Sequence, residues 1–151
     1  MTVDEKENYW YEQEAALLEA EKQLMNNHFP SFNLDRLDDG RICWIRTVAP
    51  IKDDWTLLVV YDNDHPNTKW GPSVKSYIVD PDLESISADL GRGLPHTIRD
   101  GYGNLHISFC INGITNKNKI VTATAAVMGT VKWIVAFELW LKDKVSDDCF
   151  F

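Results

Sequence analysis

The sequence predicts an α+β domain on three observations: an amphipathic stretch near the N-terminus, three consecutive β-branched runs joined by short turns, and a long apolar stretch of helical spacing near the C-terminus. Residues 8–28 carry Trp10, Leu17, Leu18, Leu24 and Met25 at mixed three- and four-residue steps among Glu and Lys, which predicts an N-terminal helix ended by Pro30. Asp38-Asp39-Gly40 is a turn signal. Residues 41–48, 55–61 and 73–79 then have the β-branched and aromatic content of strands, and their short connections predict an antiparallel meander. Asp80-Pro81 stops the third strand. From Gly91 to Gly113 the chain turns to Gly, Asn, Pro and His, the composition of an irregular loop that a scaffold holds for function, with Leu105 to Ile111 as a short extended segment inside it. A closing helix is expected over about 122–142, with Val127, Val131, Ile134, Phe137 and Leu141 in the core, Trp133 and Trp140 beside them, and Gly129 as a local weak point.

At 151 residues the chain suits a single domain, read as 1–145 with a tail at 146–151. Hydrophobic residues at 44% and charged residues at 25% are ordinary for a globular protein, so disorder is expected only at the ends. A net charge of −8 argues against non-specific nucleic-acid binding, which needs a basic surface, and suits a basic partner or peptide better. The three cysteines Cys43, Cys110 and Cys149 form no CxxC pair and fit a reducing compartment. The first six residues, polar and acidic, resemble neither a signal nor a transit peptide, and no apolar run is read as approaching membrane-spanning length. A cytoplasmic protein without a membrane partner is expected.

The loop carries the chemistry. Leu94-Pro95-His96 is followed by Gly103-Asn104-Leu105-His106-Ile107, and this pairing resembles the active-site segment of ubiquitin-conjugating enzymes, where a His-Pro-Asn-like motif precedes Gly-x-Leu/Ile-Cys-Leu by about ten residues. Val59-Val60-Tyr61, Pro66, Gly71-Pro72-Ser73-Val74 and Asp80-Pro81 resemble the family's Y-x-x-x-x-P…P-x-V…P signature. The run Trp133 to Leu141 is similar to the E-W-L-x-x-Y-E-x-W-L segment of bacterial members associated with cyclic-oligonucleotide (CBASS) antiphage defence. The resemblance implies a ubiquitin-conjugating-like fold of N-terminal helix, meander, long active-site loop and C-terminal helix. It also implies a role in accepting the C-terminus of a ubiquitin-like protein, or of a nucleotide cyclase, as a cysteine thioester supplied by an activating enzyme and passing it to an amine.

A histidine stands at the position where the resemblance expects the nucleophilic cysteine, and Cys110 follows four residues later. A thiolate suits a carrier because it is nucleophilic near neutral pH and its thioester stays reactive toward amines, whereas an acyl-imidazole hydrolyses readily. Three readings stay open. His106 occupies the cysteine position in a non-catalytic, partner-binding variant; or an insertion around Gly101-Tyr102-Gly103 moves the nucleophile to Cys110, with His96 or His106 as orienting or acid–base groups; or the loop is structural. His96-Thr97-Ile98 supplies no oxyanion-stabilising amide in place of the family's Asn, leaving Asn104 or Asn112 as substitutes. If residues 105–111 form one continuous strand, alternation puts Cys110 on the face of His106 and Ser108.

The remaining features have plainer readings. A literal His65-Pro66-Asn67 lies before the third strand, far from any downstream cysteine, and is read as a polar turn. Four histidines and three cysteines lack the close paired spacing of zinc sites, so no metal or other cofactor is expected. Asp38-Asp39 and Asp53-Asp54 are solvated turn acids. Cys43 is expected to pack as a small hydrophobe, and Cys149-Phe150-Phe151 to form an exposed tail whose two aromatics dock on the domain or a partner.

Overall fold

In the computed structural model, residues 9–69, 71–111, 114–115 and 121–142 are described. The chain begins with two helical segments, α1 (Trp10–Gln13) and α2 (Ala15–His28), then builds β1 (Asn33–Arg36), β2 (Ile42–Val48), β3 (Trp55–Tyr61) and β4 (Val74–Asp80). A short helix α3 (Leu83–Leu90) leads to β5 (Thr97–Arg99), β6 (Leu105–Ile107), β7 (Cys110–Ile111) and β8 (Ile114–Thr115), and α4 (Ala123–Leu141) closes the fold. The class is α+β: β1 to β4 form one antiparallel sheet in sequence order, and β5–β6 and β7–β8 are separate hairpins.

The expected helix, two of the three strands and the closing helix appear within a residue or two of their predicted ends, and 55–61 is reproduced in full. Three differences are physical. The N-terminal helix is interrupted at Glu14, whose backbone (φ −121, ψ 61) lies outside the helical region. The meander has a fourth strand, β1, whose residues are all exposed; its register against β2, Asn33↔Ile45 to Arg36↔Ile42, comes from backbone pairing and leaves no hydrophobic pattern to read. The segment after Pro81 forms α3, capped by the Asp82 side chain accepting from Glu84 N–H and ended by Gly91 in the left-handed region (φ 71).

The core lies between one face of the sheet and α4. Alternation along β3 sends Leu57, Val59 and Tyr61 to that face, where each is fully buried, and β4 adds Val74, Ser76 and Ile78. From α4, Ala126, Val127, Thr130, Trp133, Ile134 and Phe137 meet them. Trp133 stacks on Phe137 at 4.5 Å, and Trp55 meets both rings edge-on. Of the expected core positions on this helix, Val127, Ile134 and Phe137 are fully buried, Val131 is half-buried, and Leu141 is exposed because it lies in the last turn. At 19 residues and a mean hydropathy of 1.3, α4 does reach membrane-spanning length and apolarity, contrary to the sequence reading; 56% of it is buried, so the apolar run serves the core.

Two buried carboxyl groups tie the layers together. Glu21 on α2, 2% exposed, accepts from the Tyr61 hydroxyl at 2.7 Å and from the Ala123 N–H at the start of α4 at 2.8 Å, while Trp44 Nε1 donates to the same hydroxyl. Glu138 on α4 accepts from Trp55 Nε1 at 2.6 Å. In the core each group has the partners that make burial of a polar side chain tolerable.

Candidate functional site

Within the loop read as irregular, residues 97–107 form an ordered hairpin. Strands β5 and β6 pair Thr97↔Ile107, Ile98↔His106 and Arg99↔Leu105, and the turn between them is organised by one side chain. Asp100 Oδ1 accepts from the N–H groups of Tyr102 and Asn104, its Oδ2 accepts from the Tyr77 hydroxyl of β4 at 2.7 Å, and its own N–H donates to Asn104 O. This is the Asx-turn chemistry of a short carboxylate in a tight turn, completed by Gly103 at φ 86, which a Cβ would strain. Burial pushes the Asp100 carboxyl up, but the hydrogen bonds from Tyr77, Asn104 and Tyr102 outweigh it and hold it below the usual carboxylate range. At the turn end of the hairpin, the Arg99 guanidinium donates to Gly103 O and forms a two-pronged pair with Glu84 of α3 at 2.6 and 3.0 Å.

Beside this hairpin lies a cleft of about 480 Å³. Gly71, Pro72 and Lys75 line one side, and residues 98–101 and 106–109 the other. Lys75 is held by Asp62 at 2.6 Å. His106 is 5% exposed, its ring lies 5.7 Å from that of Tyr77, and its Nδ1 has no hydrogen-bond partner. Burial, and then the nearby Lys75 ammonium, lower its pKa from the ordinary imidazole value, so at neutral pH the ring is uncharged and can offer one nitrogen as an acceptor. The wall continues to Phe109, 6% exposed, whose ring rests on α4 where Gly129 leaves room; a Cβ there would stand 2.5 Å from the ring. Gly129, read from sequence as a weak point, is thus where the loop meets the helix.

His96, His106 and Cys110 do not share one strand. His96 sits just before β5 in the left-handed region (φ 54), a conformation that costs an L-residue of order 1 kcal/mol, and its carbonyl accepts from Ser108 N–H at 2.8 Å. The register therefore brings His96 opposite Ser108, two residues from His106. The expected continuous strand over 105–111 is broken at Ser108-Phe109, because β6 pairs with β5 whereas β7 pairs with β8. Cys110 opens that second hairpin, Cys110↔Thr115, so simple alternation does not relate it to His106. Asn104 lies in the hairpin turn; Asn112, Cys149 and the tail at 146–151 lie outside the described residues.

Other sequence readings also find their place. His65-Pro66-Asn67 lies in the turn between β3 and β4, as read, but His65 itself is 2% exposed rather than solvated. Its Nδ1 is 2.8 Å from Ser73 Oγ, its ring is flanked by Trp10 and Tyr61, and burial takes its pKa down to about 4. Cys43 packs at 2% exposure, with burial and nearby Asp35 pushing its thiol up to about 11, so it is no nucleophile. Sequence reasoning missed Lys75, Tyr77, Arg99 and Asp100. The Asp100-Gly101 turn signal was readable, but nothing local announced that Tyr77 would reach it from 23 residues away.

No curated protein and no solved structure matches the chain. The type II CBASS E2 protein family matches residues 21–145, from the middle of α2 past the end of α4, taking in the sheet, the hairpin and the cleft. That family is E2-like and belongs to antiphage defence. With so much of the fold and its whole cleft inside the match, this chain is a member of the type II CBASS E2 protein family.

Proposed function

We propose that the chain is a ubiquitin-conjugating-like protein, cytoplasmic and built as one domain over 1–145, that binds the C-terminal segment of a nucleotide cyclase or of a ubiquitin-like protein in the cleft beside His106. It does so without a thioester at position 106. The observation that carries this reading is the state of His106: a cleft-lining imidazole, 5% exposed and kept uncharged by burial. Such a group, with its Nδ1 buried, forms part of the cleft wall and is a poor carrier, since an acyl-imidazole hydrolyses readily. The cleft volume of about 480 Å³ falls in the range of pockets that enclose a ligand.

A second reading is favoured by one specific feature: Cys110 follows the cleft-wall residues 106–109 directly. In that reading its thiolate attacks the thioester carbonyl of a C-terminal segment carried by an activating enzyme, expels that enzyme's cysteine thiolate, and holds the acyl group until an amine displaces the thiol.

Non-reducing gels and intact-mass measurement separate the two, after mixing the protein with the nucleotide cyclase of the same defence system and an activating enzyme. The binding reading expects a stable complex by gel filtration and no thiol-sensitive adduct in the wild type, Cys110→Ala or His106→Ala. A thiol-sensitive adduct lost only in Cys110→Ala would replace it with the carrier reading.

A further inference from the structure

The tip of the β5–β6 hairpin is built more firmly than a surface turn needs to be. Between residues 99 and 104 the turn is held by Asp100 accepting from two backbone N–H groups and from Tyr77, by Asp100 N–H donating to Asn104 O, and by the Arg99 guanidinium on Gly103 O and Glu84. This frame presents Tyr102, which is 81% exposed, while every other Phe, Trp and Tyr among the described residues is buried or half-buried. A ring left in water contributes nothing to folding through burial. Fixing its backbone in advance, however, lowers the entropy lost when a partner covers it, and tyrosine is well suited to that use because it brings a large contact area with few rotatable bonds. Ile98, 52% exposed on the same hairpin, lies at the cleft, so an apolar contact surface runs from the cleft to the tip.

We propose that Tyr102 and Ile98 form a preorganised docking anchor for the folded body of the protein whose C-terminal segment enters the cleft, and that this body presents a basic surface. The proposal rests on the binding reading given above and adds the surface that selects the partner. Charge complementarity identifies the occupant. The hairpin is joined through the Arg99–Glu84 pair to a segment that also exposes Asp80, Asp82 and Asp89 with no Lys or Arg from 80 to 91, while Arg41, the cation near Tyr102, and Lys75 at the cleft are matched by Asp39 and Asp62. In a chain of net charge −8, a second copy of this protein would meet like charge there, whereas a partner with Lys and Arg around an apolar recess meets both features.

The test measures binding of the full chain to the purified nucleotide cyclase of the same system by surface plasmon resonance at 50 and 300 mM salt, with wild type, Tyr102→Ser and Ile98→Ser. The expected result is a Kd at least tenfold weaker for Tyr102→Ser with an unchanged melting temperature, a smaller loss for Ile98→Ser, and weaker wild-type binding at high salt. Equal affinity of wild type and Tyr102→Ser overturns the anchor while leaving the cleft reading intact. No binding by the wild type overturns both. Salt-independent affinity overturns the basic surface, and a wild-type homodimer in sedimentation that Tyr102→Ser dissolves would assign the patch to a second copy instead.

Discussion

His65 and His106 are both more than nine-tenths buried, both leave one ring nitrogen without a hydrogen-bond partner, and both have a pKa lowered by burial. They differ in what surrounds them. His65 is packed between Trp10 and Tyr61, next to the Glu21–Tyr61 pair that fastens α2 to α4, and its Nδ1 meets Ser73. His106 borders a cleft and faces Tyr77, the side chain that secures the hairpin. Of the literal His-Pro-Asn sequence, His65 thus belongs to a stabilising core while Pro66 and Asn67 form an exposed turn, and the altered motif belongs to the candidate site. Burial and a shifted pKa alone do not mark a functional histidine; a cavity beside it does more.

That contrast is most open to attack at Glu21. Glu21→Ala leaves the Tyr61 hydroxyl and the Ala123 N–H buried without their acceptor, and each such loss costs about 1–3 kcal/mol, so urea unfolding should show a loss of about 4 kcal/mol in all. A loss under about 1 kcal/mol would show that the region around His65 does not hold the layers together.

The pH dependence of stability is the next largest effect. With a folded pKa of about 4 against an ordinary 6.5, His65 binds fewer protons in the folded than in the unfolded chain between those values. Its contribution is therefore complete above about pH 6.5 and declines by about 3 kcal/mol as pH falls toward 4. His65→Asn, which keeps a polar group near Ser73, should flatten this slope in urea titrations at successive pH values. His106→Asn should flatten it less. If the order is reversed, the roles given to the two histidines are interchanged.

The smallest effect sharpens the other side of the contrast. Tyr77→Phe removes one hydrogen bond to Asp100, a carboxyl that still meets water, so stability should fall by about 1 kcal/mol or less. Hydrogen exchange should nevertheless quicken at the Tyr102 and Asn104 amides, which depend on Asp100 for their acceptor, while the Ala123 amide at Glu21 stays unchanged. Equal protection of the hairpin amides in both proteins would show that the turn does not need its tie to the sheet.

Local pattern made the long elements readable. The β-branched and aromatic run of 55–61 and the helical spacing of 123–141 lie in elements with a fully buried face, so apolar content and burial coincide. Strand β1 has no buried face and exists because β2 offers it a backbone ladder, and α3, capped by Asp82 and ended at Gly91, spans only eight residues and buries only Leu83. The three-residue strands of the hairpin are too short to carry a period at all.

By itself the sequence determined the α+β class, the acidic character and the spacing that puts His106 ten residues after His96 and four before Cys110, because composition, spacing and residue identity are properties of the chain alone. Only the tertiary structure decided that Glu21 would be a core residue, that His65 would be buried while its neighbours form a turn, and that Tyr77 and Asp100 would fix the hairpin at the cleft. Each of these depends on a partner far along the chain: 40 and 102 residues from Glu21 to Tyr61 and Ala123, and 23 from Tyr77 to Asp100. A buried polar group is tolerated only where such a partner arrives, and local sequence does not record which one will.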